Sequence, residues 1–531
     1  MANPSLQIGN GKFAIKENDL LGYSSSGTKF FPIPITMTRA TLGSRVNPSG
    51  LVEDVELLGS EEIVNGSFTG VANGTDVATL ANWNDYNSPT SKNVVDNKLV
   101  IVAQGSNKGA YYDLGSLTAG TYKLSVDITG DVGAGGLFIS ATSSHNITTS
   151  VGTVEYYFAA SGSTLIFFRA AANNVGTTSY TNISVKKATI DGLARVDYTD
   201  GTASLLVEPQ RTNLITYSED FSQSVWAKNS VGNASAPIIT TNYATSPDGT
   251  QNASRLQLTV SGSTSSDKSF LENLFNLDGS SSYTLTFYIK SNNGSNQNLI
   301  FLQNSVSGNA ITATNQWVRI QQTVTSNTTN SRGFGLMALG NIQQSVDVII
   351  FGAQLELGSY ATSYIKTTGI TVTRNTDQYT KTGISDKINS EEGVFFIEMA
   401  TFLDEGTTAD KWIALSDGTA NNSVRIAYSG GANTIRAYLN VGGSAQADMT
   451  YAVTDVTQFS KIAFSYAANN FNLWVDGVKR ATDTSGNVFS VNTLNRLGLD
   501  NGGGGSFPGK IKQLQIYKTA LSDSELATLT T

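Results

Sequence analysis

The sequence predicts an all-β chain of tandem β-sandwich (jelly-roll) modules behind a small N-terminal segment, and three observations carry that expectation. Only 14% of the residues are charged, and the polar remainder is Ser, Thr, Asn and Gly, types that favour turns and half-solvated strands over helices. Apolar residues recur at every second position through several runs, as a sheet with one buried face requires. One plan of such runs occurs twice along the chain. With 531 residues the chain exceeds what one hydrophobic core organises, so several domains are expected.

Residues 1–56 do not resemble the rest. They contain PIPI and two short β-like runs, and read as an attachment segment. Residues 57–189 form the first module. It opens EEIVNGSF, followed by Trp83, and continues with LGSLTAGTYKLSVDI, in which Tyr122, Leu124, Val126 and Ile128 share one face. The strands VEYYFAAS, TLIFFRAA and SYTNISVKKAT complete it. Residues 190–211 bridge to the second module, 212–368, which repeats the plan: NLITYSEDF, then Trp226, then FNLDGSSSYTLTFYI with Tyr283, Leu285, Phe287 and Ile289 on one face. Strands at short intervals separated by Gly/Ser/Asn turns indicate a sandwich.

The third module, 369–531, carries a legible hairpin. Ile462, Phe464 and Tyr466 should pair with Phe471, Leu473 and Val475, and Asp476–Gly477 is a tight-turn dipeptide. The only helix expected is terminal, with Ser522 as N-cap and Glu525 closing a capping box.

Charge and composition exclude several functions. The formal charge is −8 and Lys and Arg form no stripe, so the counterion-release term of nucleic-acid binding is missing. Insertion into a membrane is not expected, because no run approaches the length needed to span a bilayer. Cysteine is absent, which removes disulfides, thiolate metal sites and thiol nucleophiles. The first residues lack the basic-then-apolar pattern of a signal peptide.

Three passages then point to a family. TRATLGSRVNPSGLVEDV (38–55), GLARVDYTDGTASLLVEPQRTNLITYSEDFSQSVW (192–226) and QLELGSYATSYIKTTGITVTRNTDQ (354–378) resemble phage tail-fibre and head-fibre proteins. Residues 57–189 look like an extra carbohydrate-binding-module-like jelly roll inserted between the first two passages. The NLITYSEDF module is similar to the same class, and the last module is similar to a concanavalin A-like or laminin-G-like lectin domain. The resemblance implies synthesis in the bacterial host cytoplasm and display on the virion surface. It further implies contact with other virion proteins through the N-terminal segment, binding of host-surface glycan, and a homo-oligomer, often a trimer. The lack of cysteine suits such a life.

The chemistry in the residues favours binding over catalysis. Glycoside hydrolysis needs two carboxylates at a fixed separation. Glu398 stands alone on its strand, the Asp404–Glu405 pair lies in a Gly/Thr loop, and Asp523 and Glu525 fit helix capping. No enzyme is expected. The single histidine, His145, sits in a polar stretch and reads as a solvated turn residue.

Aromatic faces flanked by Asn suit the flat C–H faces and hydroxyl rims of sugars. Trp83, Asn84 and Tyr86 lie together in ANWNDYNSP, and Tyr111 and Tyr112 are adjacent on a strand, so one of them must point away from the core. These five are the candidate carbohydrate-binding residues. For Trp83 the competing reading is a structural tryptophan, supported by the equivalent Trp226. The facing of Trp317, Trp412 and Trp474 stays undecided. No cofactor is required; Asp417, Asn421, Asp500 and Asn501 are candidate calcium ligands in loops of the third module, where turn formation explains them as well. The expected function is a virion fibre or decoration adhesin for host carbohydrate. Its rivals are a purely structural capsid or tail component and a glycan depolymerase.

Overall fold

The computed structural model describes residues 2–9, 13–15, 22–26, 29–103, 107–130, 136–147, 151–170, 176–278, 280–304, 307–325, 331–402, 410–429 and 432–531. Strands dominate them, and the α-helix they contain is the terminal Asp523–Thr530, capped by the expected Ser522–Glu525 box. No helix among them is long and apolar enough to cross a membrane. The chain divides into two compact units, Glu56–Thr189 and the remainder, Met1–Val55 with Ile190–Thr531.

The smaller unit is a sandwich whose long strands pass through both layers. Gly109–Gly130 pairs first with Trp83–Tyr86 and later with Gly176–Thr189, bending at register shifts between Asp113 and Ser116 and between Leu117 and Gly120. Each shift re-aims the strand, as bulges do. Tyr122, Leu124, Val126 and Ile128 all face the core, as their spacing predicts. The first and last strands of the unit are antiparallel neighbours, with Leu57 opposite Thr189 and Leu58 opposite Ala188. On the other side of the interruption, Val55 N–H donates to Gly43 O (2.8 Å) and Asp191 accepts from Arg39 N–H (2.8 Å), so both cut ends are tied to one short stretch. Replacing Glu56–Thr189 by a short Gly/Ser linker should therefore leave the larger unit folded, because closing a short loop costs little. Unfolding followed by circular dichroism would check this, and loss of a cooperative transition in the excised protein would refute it.

In the larger unit the second module is a sandwich of two five-stranded sheets. Its core holds Tyr283, Leu285, Phe287 and Ile289, and Trp226, whose Nε1 donates to Tyr217 O at 2.9 Å. The third module also has two sheets. Ile462 lies opposite Val475, Phe464 opposite Leu473 and Tyr466 opposite Phe471, in the register expected. The turn uses Asp476 and Gly477 at φ of +49° and +78°.

The structure departs from expectation for the leader and the bridge. Leu6–Ile8 pairs with Gly509–Tyr517, and Thr36–Thr38 with Gln378–Thr382. Leu6, Ile8, Ile35 and Met37 are core residues of the third sandwich. Of the 190–211 segment, Ser204–Val207 also pairs with Gly509–Tyr517. These parts of the attachment segment 1–56 and of the bridge 190–211 are thus also integral strands of the C-terminal sandwich. The pairing partners lie hundreds of residues away, so no local pattern announces them.

The three passages that carry the family resemblance converge on one buried ion cluster. Arg39 Nη1 donates to Asp377 Oδ1 (2.8 Å) and Arg195 Nη1 to Glu208 Oε2 (2.7 Å), Arg374 Nη1 forms an ion pair with Glu208 Oε2 (2.9 Å), and Arg195 Nη2 also reaches Asp377. Glu208 further accepts from Ser363 N–H (2.7 Å), and Asp377 from Glu208 N–H (2.9 Å). All five charged side chains are at most 2% exposed. Burial alone would raise the Glu208 carboxyl, but Arg374 and Arg195 hold it down to about 2. Arg195 is likewise held protonated: burial opposes its charge, and Asp377 and Glu208 outweigh that.

Candidate functional site

In the smaller unit, alternation along the Trp83–Tyr86 strand divides the candidates between two faces. Trp83 is 4% exposed and packs edge-on against Tyr112 (centroids 5.1 Å) and against Phe68 and Phe168. Tyr112 is fully buried, and its hydroxyl accepts from Val64 N–H (3.1 Å) and Asn82 Nδ2 (3.2 Å). Both are core residues and offer no surface to a ligand. The indole closes the sandwich as Trp226 does in the second module.

Asn84, Tyr86 and Tyr111 point the other way. Cross-strand register sets Asn84 opposite Tyr111, Tyr111 opposite Phe167, Phe167 opposite Phe138 and Phe138 opposite Asn146, a single row across five strands. Phe167 is its hub, with ring centroids 4.7 Å from Tyr86, 5.3 Å from Tyr111 and 5.3 Å from Phe138. All four rings are half-buried.

Arg169 frames one edge. Its guanidinium lies 5.4 Å from the Phe138 ring centroid and donates to Asn107 Oδ1 (2.8 Å) and Asn146 Oδ1 (3.2 Å). Opposite Arg169 is Gly109, where a Cβ would meet Phe168 O at 1.9 Å. Only glycine lets the two strands approach this closely.

Phe138, Phe167, Arg169, Asn107 and Asn146 were not among the sequence candidates. The signal was the Phe167–Phe168 doublet, which by the logic applied to Tyr111–Tyr112 must send one ring outward.

The same sheet in the second module carries a different surface. The row equivalent to Asn84–Tyr111–Phe167–Phe138–Asn146 reads Ala227–Glu272–Gly335–Leu302–Gly308. No aromatic platform forms along it.

The four loop residues named for calcium are committed to their own loops. Asp417 accepts from Thr419 N–H (2.8 Å), Thr419 Oγ1 (2.6 Å) and Asn422 Nδ2 (2.8 Å). Asp500 forms an ion pair with Arg496 and accepts from Gly502 N–H (2.8 Å). Asn501 Oδ1 accepts from Gly504 N–H (3.0 Å), and Asn421 bonds through its backbone to Gly443 N–H (3.0 Å). The two loops touch, since Ser416 Oγ donates to Gly502 O (3.0 Å). Both carboxylates accept hydrogen bonds from these donors, and no group of three or more acids or histidines suited to a metal occurs among the described residues.

Glu398 accepts from Gln513 Nε2 (2.8 Å) and has Lys461 and Gln513, not a second acid, as its cross-strand neighbours. The Asp404–Glu405 pair lies outside the described residues. His145 is on the Ser144–Ile147 strand rather than in a turn, bonded to Ser143 Oγ (2.7 Å) and Tyr156 Oη (3.0 Å).

No curated protein sequence matches the chain. Among solved structures it is similar to the CBM40 module of the Ruminococcus gnavus IT-sialidase bound to α2,3-sialyllactose, at 19% identity over 27% of this chain and 83% of that one, with a TM-score of 0.23. It is also similar to the CBM22-1–CBM22-2 tandem of Paenibacillus barcinonensis Xyn10C, at 11% identity over 56% and 98% of the two chains, TM-score 0.20. Domain 4 of the arabinanase AbnA from Geobacillus stearothermophilus, in complex with arabinotriose, matches at 13% identity over 61% and 98%, TM-score 0.16. Residues 400–527 match the model of the concanavalin A-like lectin/glucanases superfamily, and the C-terminal sandwich is a domain of that kind.

Proposed function

We propose that the protein is a bacteriophage fibre or decoration protein that grips host-surface carbohydrate, with the outer face of the Glu56–Thr189 sandwich as its grip. The observation that carries this reading is the row of half-buried rings, Tyr86, Tyr111, Phe167 and Phe138, bordered by Asn84, Asn146 and Arg169. Clustered rings accept the apolar face of a pyranose, and the flanking amides and guanidinium serve its hydroxyls. No proton-transfer pair is needed for that task. The virion setting rests on the three resembling passages. Several copies displayed on one particle would multiply weak single-site binding without new contacts.

A glycan array and a pull-down on host envelope with the full chain test the proposal. Tyr111→Ala and Phe167→Ala should each weaken binding by about tenfold, the equivalent of roughly 1.4 kcal/mol for a lost aromatic contact, while leaving the fold intact. Absence of any glycan ligand, or full affinity in both folded variants, would overturn it.

A further inference from the structure

The outer face of the C-terminal sandwich holds a second cluster that the function above does not use. On adjacent strands Trp412, Ala427, Arg436 and Thr450 form one cross-strand row, and Ala414, Arg425, Tyr438 and Asp448 form the next. The alanines leave room for the long side chains to lie over the rings. The Arg425 guanidinium sits 4.8 Å from the Trp412 ring centroid and 4.6 Å from that of Tyr438. Arg436 lies 5.5 Å and 5.0 Å from the same two rings.

The two arginines differ in one respect. Arg436 is saturated with acids: Nε and Nη2 donate to Asp448 (2.8 and 2.7 Å) and Nη1 to Asp410 (2.7 Å). Arg425 is only 8% exposed and has no hydrogen-bond acceptor among the described residues. Its Nε is sealed from solvent without a partner, whereas its two terminal nitrogens are not sealed. A guanidinium fixed between rings, with its outer fork unclaimed, is built to receive a bidentate oxyanion. Leaving so buried a charge without an acceptor is costly. Burial above all, and Arg436 besides, lowers the pKa of Arg425, and an incoming anion would reverse that.

We propose that this face of the C-terminal domain is an acidic-saccharide site, in which Arg425, held by Trp412 and Tyr438, binds the oxyanion of a uronate or sulfated sugar. It stands apart from the aromatic row of the smaller unit, and the two sites fail independently.

Binding of the full chain to oligogalacturonate, dextran sulfate and neutral dextran, measured by calorimetry, tests it; the first two arms distinguish carboxylate from sulfate. The wild type should prefer at least one acidic ligand to dextran, and that preference should fall with added salt. Arg425→Gln should weaken it roughly tenfold to a hundredfold, as expected for a charge-assisted hydrogen-bonded contact. Asp448→Asn, at an exposed position in the same row, should tighten it several-fold. Arg480→Gln, at an exposed arginine outside these two rows, should leave it unchanged, which separates a built site from general surface charge. Equal binding of acidic and neutral ligands by the wild type, or unaltered affinity in a folded Arg425→Gln protein, would overturn the proposal. Should Arg425→Gln not fold, unaltered affinity in Asp448→Asn would do the same.

Discussion

Asp377→Ala should lower the stability of the larger unit by about 3–5 kcal/mol, the cost typical of breaking a buried ion pair. Asp377 is fully buried and takes hydrogen bonds from Arg39, Arg195 and the backbone of Glu208. Its removal takes away the acid paired with Arg39 and leaves Arg195 with Glu208 as its paired carboxylate. The uncompensated charge, more than the lost bonds, sets the size of the effect. Urea unfolding followed by tryptophan fluorescence would measure it, and a loss below about 1 kcal/mol, the scale of exposed pairs, would contradict the assignment.

The same cluster gives the larger unit an acid-sensitive step. Glu208 sits near 2 in the fold against an ordinary value of 4.5. Its contribution is therefore whole above pH 4.5 and is lost as pH falls toward 2. Glu208→Gln, which removes the titrating carboxyl, should flatten that part of the stability profile.

Trp83→Ala should cost the smaller unit about 3–5 kcal/mol, as large-to-small core substitutions of this kind do. The indole fills the space between Tyr112, Phe68 and Phe168. Glycan affinity of the protein that remains folded should be close to wild type, because the indole faces away from the Tyr111–Phe167 row. A folded Trp83→Ala protein that has lost its ligand would make the tryptophan a contact residue after all. Differential scanning calorimetry with Asp377→Ala alongside should show each substitution moving its own unit's transition.

Local periodicity made much of the fold legible. The alternating faces Tyr122–Ile128 and Tyr283–Ile289, the Ile462–Val475 hairpin and the Ser522–Glu525 cap all follow from residues within one strand pair or one helical turn. What the sequence concealed is non-local. Leu6–Ile8 is recognisable as a strand of the sandwich only once Gly509–Tyr517 lies beside it, and Arg39 shows a purpose only beside Asp377. The candidate site was half visible for a related reason. Tyr111 and Tyr86 stood out in polar surroundings, whereas Phe167 and Phe138 sit in runs that read as ordinary core. Register across five strands, not composition, brings them to one row. For Asp417 and Asp500 the sequence showed oxygen donors in adjacent loops but not the Thr419, Asn422 and Arg496 groups that claim them.

The adjacency of Leu57 and Thr189 has a consequence for how such a chain can change over time. A unit whose two ends leave side by side is a cassette: everything between them can be traded for another unit with compatible ends, and the ion-locked frame needs no repair. Mutations inside the cassette are equally quarantined, and the frame's stability holds while they accumulate. Cassette and frame are thereby placed under separate selection.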